Sequence, residues 1–150
     1  MDRNLMSTSS TGAPLSPSEL ATRIVQAAGH PERMIENLAP DVTWWITPSI
    51  PAEVMESFTS GRGEVLANLH RVFGDLYDPN KMTVEVHHAI TDGNIGAVRF
   101  KMSGEFSTGG FYENEYSLWL EAIDGWVVRV WEYVDMAHTT AQIRSATSDR

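Results

Sequence analysis

Apolar residues recur at helical spacing in the first half of the chain. Leu20, Ile24 and Ala28 lie four residues apart, which predicts an amphipathic helix. Residues 16–19, SPSE, put Ser at the N-cap, Pro at the first helical position and Glu at the third, an arrangement that favours a helix start. Gly29 is expected to end this helix, because glycine readily adopts the left-handed conformation of a C-terminal cap.

Two more stretches of this half predict helices. Pro31 opens one with Met34, Ile35 and Leu38 as its apolar positions, and Pro40 ends it. The other covers residues 63–77, where the apolar positions are Val65, Leu66, Leu69, Val72, Phe73 and Leu76. Between them, residues 42–47 are β-branched and aromatic, which predicts a first strand. Residues 49–60 are expected to form a loop.

From residue 82 onward the pattern changes to long strands separated by turn sequences. The turn sequences are DGN at 92–94, TGG at 108–110 and DG at 124–125. They divide this half into four antiparallel strands joined as a meander, at approximately 82–91, 95–107, 111–122 and 126–135. Residues 136–143 are expected to form a short closing helix.

Helices followed by a run of strands indicate the α+β class, with three helices on the concave face of a curved antiparallel sheet. We expect about four long strands and one short strand. The 150 residues suffice for one domain, predicted to span residues 17–143. A disordered polar tail is expected at 1–16 and a frayed C-terminus at 144–150.

The last predicted strand is apolar on both faces. Val128, Val130 and Val134 alternate with Trp131 and Tyr133, so one face can pack on the helices while the other needs a second cover. A homodimer formed through the outer face of the sheet is therefore predicted.

Charge and cysteine content exclude several classes of partner and chemistry. The chain has 11 Lys and Arg against 20 Asp and Glu, a net charge of −9, so neither nucleic acid nor an acidic membrane surface is an expected partner. It has no cysteine, which removes thiolate nucleophiles and Cys-ligated metals. No run is long enough for a membrane span or a signal peptide, so a cytoplasmic location is predicted.

Glu132 is the first candidate for chemistry, because it lies between Trp131 and Val134 in an apolar strand. Burial raises the pKa of a carboxyl and makes it a usable acid or base near neutral pH. The alternative is a structural ion pair between Glu132 and Arg99. Asp135, at the end of the strand, is either a reserve carboxylate or the cap of the next helix.

Basic residues on the preceding strands are the second group of candidates. Arg99 and Lys101 share one face of a strand and form either an anion site in a pocket or a solvated outer pair. His88 has the parity of Val84 and Val86, so it is expected to face inward as a general base or a hydrogen-bonded core residue. His87 faces the other way, which makes the pair a poor metal motif. No metal and no cofactor are predicted.

Several segments together resemble one protein family. They are the DG turn followed by WVVRVWEYVD at 126–135, the alternating Tyr112, Asn114 and Tyr116 one strand earlier, DVTW at 41–44 and GRGE at 61–64. Over residues 17–143 the chain resembles the SnoaL-like branch of the nuclear transport factor 2-like superfamily. The resemblance implies a conical α+β barrel that encloses a pocket and is open at one end. The superfamily includes ketosteroid isomerases, polyketide cyclases, limonene epoxide hydrolases, dehydratases and proteins that only bind or dimerise.

The catalytic groups of two of these enzymes are only partly matched. By similarity to limonene epoxide hydrolase, Arg99 and Glu132 match its Arg and one Asp, but Lys101 replaces the other Asp. The residues that hold its water fall on Trp44 and Ile46, neither of which accepts a hydrogen bond from water. In ketosteroid isomerase, which pairs an Asp base with a Tyr and a protonated Asp, the two carboxyls would fall near Ile46 and Ser117. Both specific mechanisms are therefore disfavoured.

The resemblance implies an enzyme that binds a hydrophobic carbonyl compound and performs cofactor-independent acid/base chemistry of isomerase or cyclase type. Glu132 is the expected acid/base, Arg99 the electrostatic stabiliser, and His88 or Tyr116 a positioning donor. The expected binding residues are Trp44, Ile46, Phe58, Lys101, Tyr112, Asn114 and Tyr116, and the loop with Met55 and Phe58 is the expected lid.

Two alternatives remain. One is an epoxide hydrolase or dehydratase, and the other is a non-catalytic binding or dimerisation module. Convergence of Arg99, His88 and Glu132 on one enclosed cavity would favour an enzyme, and their separation would favour a binder.

Overall fold

A six-stranded curved sheet forms the framework of the protein in a computed structural model that describes residues 13–148. The strands are β1 (Leu38–Ile46), β2 (Phe58–Ser60), β3 (Thr83–Asp92), β4 (Ile95–Glu105), β5 (Phe111–Ile123) and β6 (Trp126–Val134). Their order in the sheet is β2-β1-β6-β5-β4-β3. The β1–β6 pair is parallel and the other pairs are antiparallel.

The helices cover the concave face of this sheet. They are α1 (Pro17–Gln26), α2 (Pro31–Met34), α3 (Arg62–Arg71) and α4 (Met136–Ser148). A π-helical turn at Val72–Leu76 continues α3, and a 3₁₀ turn follows at Pro79–Lys81. None of the helices in the described part of the chain has the length and apolar character that crossing a membrane requires.

The start of α1 follows the predicted capping pattern. Ser16 Oγ accepts a hydrogen bond from Glu19 N at 3.3 Å, and Pro17 occupies the first helical position. The helix packs closely on β4 at Gly96, where an added Cβ would lie 2.3 Å from the backbone carbon of Pro17. A residue without a side chain is required at that point of contact.

The predicted meander of four long strands is confirmed over β3 to β6. Its last hairpin turns at Asp124 and Gly125, whose φ angles are +51° and +82°. Two consecutive left-handed residues give a tight turn whose twist matches that of the flanking strands. The α+β class with helices on one face is likewise as predicted.

Three elements of the first half differ from the sequence prediction. The second helix ends at Met34, because Leu38 already belongs to β1 and pairs with Val127 of β6. That pairing also makes the sheet mixed rather than wholly antiparallel. The predicted loop at 49–60 contains β2, in which Phe58 pairs with Trp45.

The two ends of the chain differ from the prediction in one respect. The closing helix continues past residue 143 to Ser148, so residues 144–148 are helical where fraying was predicted. Residues 1–12 of the predicted tail lie outside the described residues.

Candidate active site

A small apolar cavity lies between the concave face of the sheet and the helices. The cavity has a volume of about 60 Å³, which is enough for a few water molecules or a compact ligand. Its walls come from all four helices, the π-helical turn, β1, β4, β5, β6 and the loop between β1 and β2. Besides the indole of Trp44, the polar side chains among its described lining residues are those of Tyr77, Tyr116, Glu132 and Thr139.

Glu132 contributes the carboxyl group of the cavity. It lies between Val130 and Val134 on the inward side of β6, and its Oε1 accepts a hydrogen bond from Trp44 Nε1 at 3.1 Å. Burial raises the pKa of Glu132 to about 7, although the Trp44 hydrogen bond acts in the opposite direction. A carboxyl with that pKa is ready to donate or accept a proton near neutral pH.

A network of hydroxyl and amide groups lies beside the carboxyl and joins β5 to α4. Tyr112 shares a hydrogen bond with Tyr116, and its hydroxyl lies 3.0 Å from Thr139 Oγ1. Asn114 Nδ2 donates to Thr139 Oγ1 and to the Asp135 carbonyl, each at 2.9 Å. Regular alternation along β5 turns Tyr112, Asn114 and Tyr116 to the same inward side.

The tyrosines around the cavity are held as neutral hydroxyls. Burial raises the pKa of Tyr77 and Tyr116 well above the ordinary value, and Tyr112 and the Glu132 carboxylate add to the effect. The ring of Tyr116 stacks on Phe100 with centroids 5.0 Å apart, which fixes its orientation. These hydroxyls therefore offer hydrogen bonds without charge.

The sequence profile of the SnoaL-like domain matches residues 22–133. The chain belongs to the SnoaL-like family. The match extends from α1 to β6 and includes Glu132. No curated protein shows significant sequence similarity to the chain.

Several solved structures share the fold of this SnoaL-like chain. An NTF2-like protein of Burkholderia thailandensis has a TM-score of 0.71 at 17% identity, covering 86% of this chain and 98% of its own. TerC, co-crystallised with polyporic acid, has a TM-score of 0.69 at 16% identity, covering 86% and 99%. A protein of Catenulispora acidiphila with a ketosteroid isomerase-like fold, in complex with trimethylamine, has a TM-score of 0.67 at 16% identity, covering 87% of this chain and 95% of its own.

The basic pair of this SnoaL-like chain lies on the opposite face of the sheet from Glu132. Phe100 and Met102 of β4 line the cavity, so the alternating Arg99 and Lys101 point outward. Arg99 is exposed, and Lys101 Nζ lies 3.6 Å from Glu85 and 3.8 Å from Glu113. Neither cation reaches the Glu132 carboxyl, which corrects the expected electrostatic role of Arg99 and the alternative ion pair.

His88 also lies on the outer face, contrary to its predicted parity. Val86 pairs with Phe100 and His88 pairs with Arg99, so His87 is an extra residue in the strand. Such a β-bulge reverses which face the following side chains occupy. His88 is exposed beside Arg99 and takes no part in the cavity.

The other predicted site residues divide into three groups. Trp44, Ile46 and Tyr116 line the cavity, whereas Tyr112 and Asn114 are buried behind it as the supporting network. Phe58 is 56% exposed on β2 and is not among the lining residues, whereas Met55 of the same predicted loop lines the cavity. Asp135 is exposed, and its Oδ1 accepts a hydrogen bond from His138 N at 3.1 Å, as a cap of α4 does.

Two polar residues of the cavity are not among the site residues predicted from the sequence. Tyr77 follows the π-helical turn and was assigned to the end of a helix, and Thr139 is a polar residue of α4. Only the alternation of Tyr112, Asn114 and Tyr116 indicated an inward-facing polar strand that would need such partners. In residues 13–148, no group of three or more His, Asp or Glu side chains is arranged to hold a metal ion.

Proposed function

We propose that the protein is a small-molecule enzyme of isomerase or cyclase type in which Glu132 moves a proton on a hydrophobic carbonyl compound. The observation that carries the proposal is a single carboxyl among the described lining residues of an apolar cavity, with one indole as its hydrogen-bond partner. As a carboxylate it removes a proton from the carbon beside the carbonyl, and as the acid it returns the proton elsewhere. This exchange needs no cofactor.

A neutral hydroxyl takes the role that was expected of Arg99. Tyr116 and Thr139 line the same cavity as Glu132, and the Tyr116 hydroxyl can donate a hydrogen bond to the carbonyl oxygen. As the proton leaves, negative charge develops on that oxygen, and fixed donors in a water-poor site stabilise it. Asn114 then donates to Thr139, Thr139 donates to Tyr112, and Tyr112 donates to Tyr116, so the network holds the donor in place.

The family supports a small-molecule site without identifying its ligand. TerC was crystallised with polyporic acid, and the Catenulispora protein is in complex with trimethylamine. Epoxide hydrolysis is less well supported here, because the described lining of the cavity contains one carboxylate and lacks the basic partner of that mechanism. A cytoplasmic location stays a prediction.

Exchange of carbon-bound hydrogen tests the proposal without knowledge of the natural substrate. Thermal-shift screening of cyclic ketones and epoxides first identifies compounds that the native protein binds. Proton NMR in D₂O then follows loss of the hydrogens beside the carbonyl of cyclohexanone and of each ketone that binds. We expect saturable exchange that becomes faster as pH rises through about 7.

Two variants identify the group responsible. Glu132→Gln should slow the exchange by about 100-fold or more, and the exposed Glu53→Gln should not change it. Exchange at the buffer rate for every ketone that binds would contradict the proposal, as would full activity of folded Glu132→Gln.

A non-catalytic binding protein is the second candidate. Arg99 and His88 do not join Glu132 at the cavity, and their separation was the outcome expected of a binder. Ligand binding without any hydrogen exchange would favour this candidate.

A homodimer through the outer face of the sheet is part of the same proposal. One line of paired residues crosses all six strands on that face; it consists of Phe58, Trp45, Trp131, Trp119, Ala97 and Ile90. We call it the outer-face row. Trp119 and Ile90 are 40% and 61% exposed, and a continuous apolar surface of this kind is typical of an interface. In a two-fold dimer the outer-face row of one copy packs against the same row of the other copy, and we propose this arrangement.

A further inference from the structure

The carboxyl of Glu132 lacks a cationic partner in its cavity. Within the described part of the chain it accepts one hydrogen bond, from the neutral indole of Trp44. None of the described residues that line the cavity is Lys, Arg or His. An ionised carboxylate in such surroundings is poorly solvated, and a positive charge from outside the protein would relieve that cost.

Aromatic side chains line the same cavity as this carboxyl. The rings that line the cavity belong to Trp44, Phe73, Tyr77, Phe100 and Tyr116. The Trp44 indole lies directly beside the carboxylate, because its Nε1 donates to Oε1. The faces of aromatic rings attract cations, and aromatic cages of this composition are how proteins recognise alkylated ammonium groups.

We infer that the cavity binds a compact hydrophobic cation, a protonated tertiary amine or a quaternary ammonium group, with its charge against Glu132 and its alkyl groups against the aromatic rings. The small volume of the cavity limits the bound group to a few carbon atoms around the nitrogen. The inference requires the inward carboxyl and the rings but no proton transfer. It therefore stands independently of the proposed reaction.

The charge of the ligand decides its affinity in such a site. A neutral compound of the same shape contacts the same rings but leaves the carboxylate unpaired, and an anion is repelled by it. The other titratable groups facing the cavity are Tyr77 and Tyr116, which remain neutral hydroxyls because burial raises their pKa values. Among these groups, Glu132 alone changes charge between pH 6 and 8, so cation affinity should follow its ionisation.

A pair of isosteric ligands isolates the effect of charge. We suggest calorimetric titration of choline and of dimethylbutanol, its uncharged carbon isostere, at pH 6 and pH 8. At pH 8, choline should bind at least about tenfold more tightly than the alcohol. At pH 6 its affinity should fall by about tenfold, because ionisation of Glu132 with a pKa of about 7 becomes incomplete. The affinity of the alcohol should not fall.

Variants connect the preference to the named carboxyl. Glu132→Gln should bind choline and the alcohol equally well at both pH values, and Glu53→Gln should behave as the wild type. The pH series needs only the wild-type protein, so it remains decisive even if Glu132→Gln does not fold. Equal affinity for the two ligands at pH 8, or choline affinity that is the same at both pH values, would overturn the inference.

The experiment also separates this inference from the proposed function. If ketones exchange hydrogen and choline binds no better than its isostere, only the cation site is wrong. If choline binds selectively and no ketone exchanges hydrogen, the inference holds and the catalytic proposal fails.

Discussion

Glu132 destabilises the native protein at neutral pH because the fold withholds water from its carboxyl. Its pKa is about 7 in the native state and 4.5 for an ordinary Glu. Between these values the native state retains a proton that the unfolded chain has lost, so the free energy of unfolding falls as pH rises. In total, the free energy of unfolding falls by about 3 kcal/mol, and the fall is complete somewhat above pH 7.

The prediction for Glu132→Gln follows from this linkage. The amide keeps the shape of the side chain but cannot ionise, so the variant should gain stability over the wild type as pH rises from about 4.5 to 7. Urea denaturation of both proteins at a series of pH values measures the difference. Glu53→Gln is the control and should track the wild type. A constant difference between Glu132→Gln and the wild type across this pH range would contradict the account.

At the residue scale, the sequence named Glu132 as a candidate but did not decide between Glu132 and Asp135 as the carboxyl of the pocket. Alternation from Val130 to Val134 turns Glu132 inward, as alternation along β5 does for Tyr116. Reasoning from alternation failed at His88, because one extra residue forms a bulge that periodicity alone does not reveal. The prediction for Arg99 failed for another reason. Strand alternation allowed Arg99 to face either the pocket or the outer surface, and the resemblance to limonene epoxide hydrolase favoured the pocket.

At the scale of elements, the Asn114 amide couples α4 to the wall of the cavity. Asn114→Ala removes the hydrogen bonds that the amide donates to Thr139 Oγ1 and to the Asp135 carbonyl. Both oxygens then lose a donor. We expect the free energy of unfolding to fall by about 2 kcal/mol and amide hydrogens of α4 to exchange faster. Urea denaturation and hydrogen-exchange mass spectrometry measure the two effects. Asn37→Ala, which removes an exposed hydrogen bond from Arg23, should leave α4 unchanged.

The contact between α1 and β4 gives a second prediction at this scale. An added Cβ at Gly96 would meet backbone atoms of Pro17 at 2.3 and 2.4 Å, and backbone cannot move aside as a flexible side chain can. Gly96→Ala should therefore cost about 2 to 3 kcal/mol of stability in urea denaturation. Gly63→Ala is the matched control: nothing lies within 4 Å of its added Cβ, and alanine favours the helix. A Gly96→Ala protein as stable as the wild type would show that the helix packs less closely.

Elements with a strong local signal were predictable from sequence, and those defined by distant pairing were not. The DG turn at Asp124 and the capped start of α1 are local, and both form as expected. The short β2 forms because Phe58 and its neighbours reach β1 across a long loop. Leu38 likewise joins a strand because β6, almost 90 residues later, is there to pair with it.

At the scale of the whole molecule, the outer-face row is the surface that a dimer would bury. Trp119→Glu places a charge at the middle of that row and should produce a monomer, with the ligand-binding cavity intact on the other face of the sheet. Analytical ultracentrifugation at micromolar concentration measures the mass. Trp126→Glu, an exposed residue at the hairpin end outside the row, should remain dimeric. A wild-type protein with a monomeric mass at all concentrations would end the dimer proposal.

The whole account depends on one ionisable group in one apolar cavity. Carbon-13 NMR of the Glu132 side-chain carboxyl, assigned by comparison with Glu132→Gln, measures its ionisation directly as pH is varied. We predict a midpoint of about 7. A midpoint near the ordinary value of 4.5 would mean that the carboxyl is hydrated, and it would contradict both the acid/base role and the cation site.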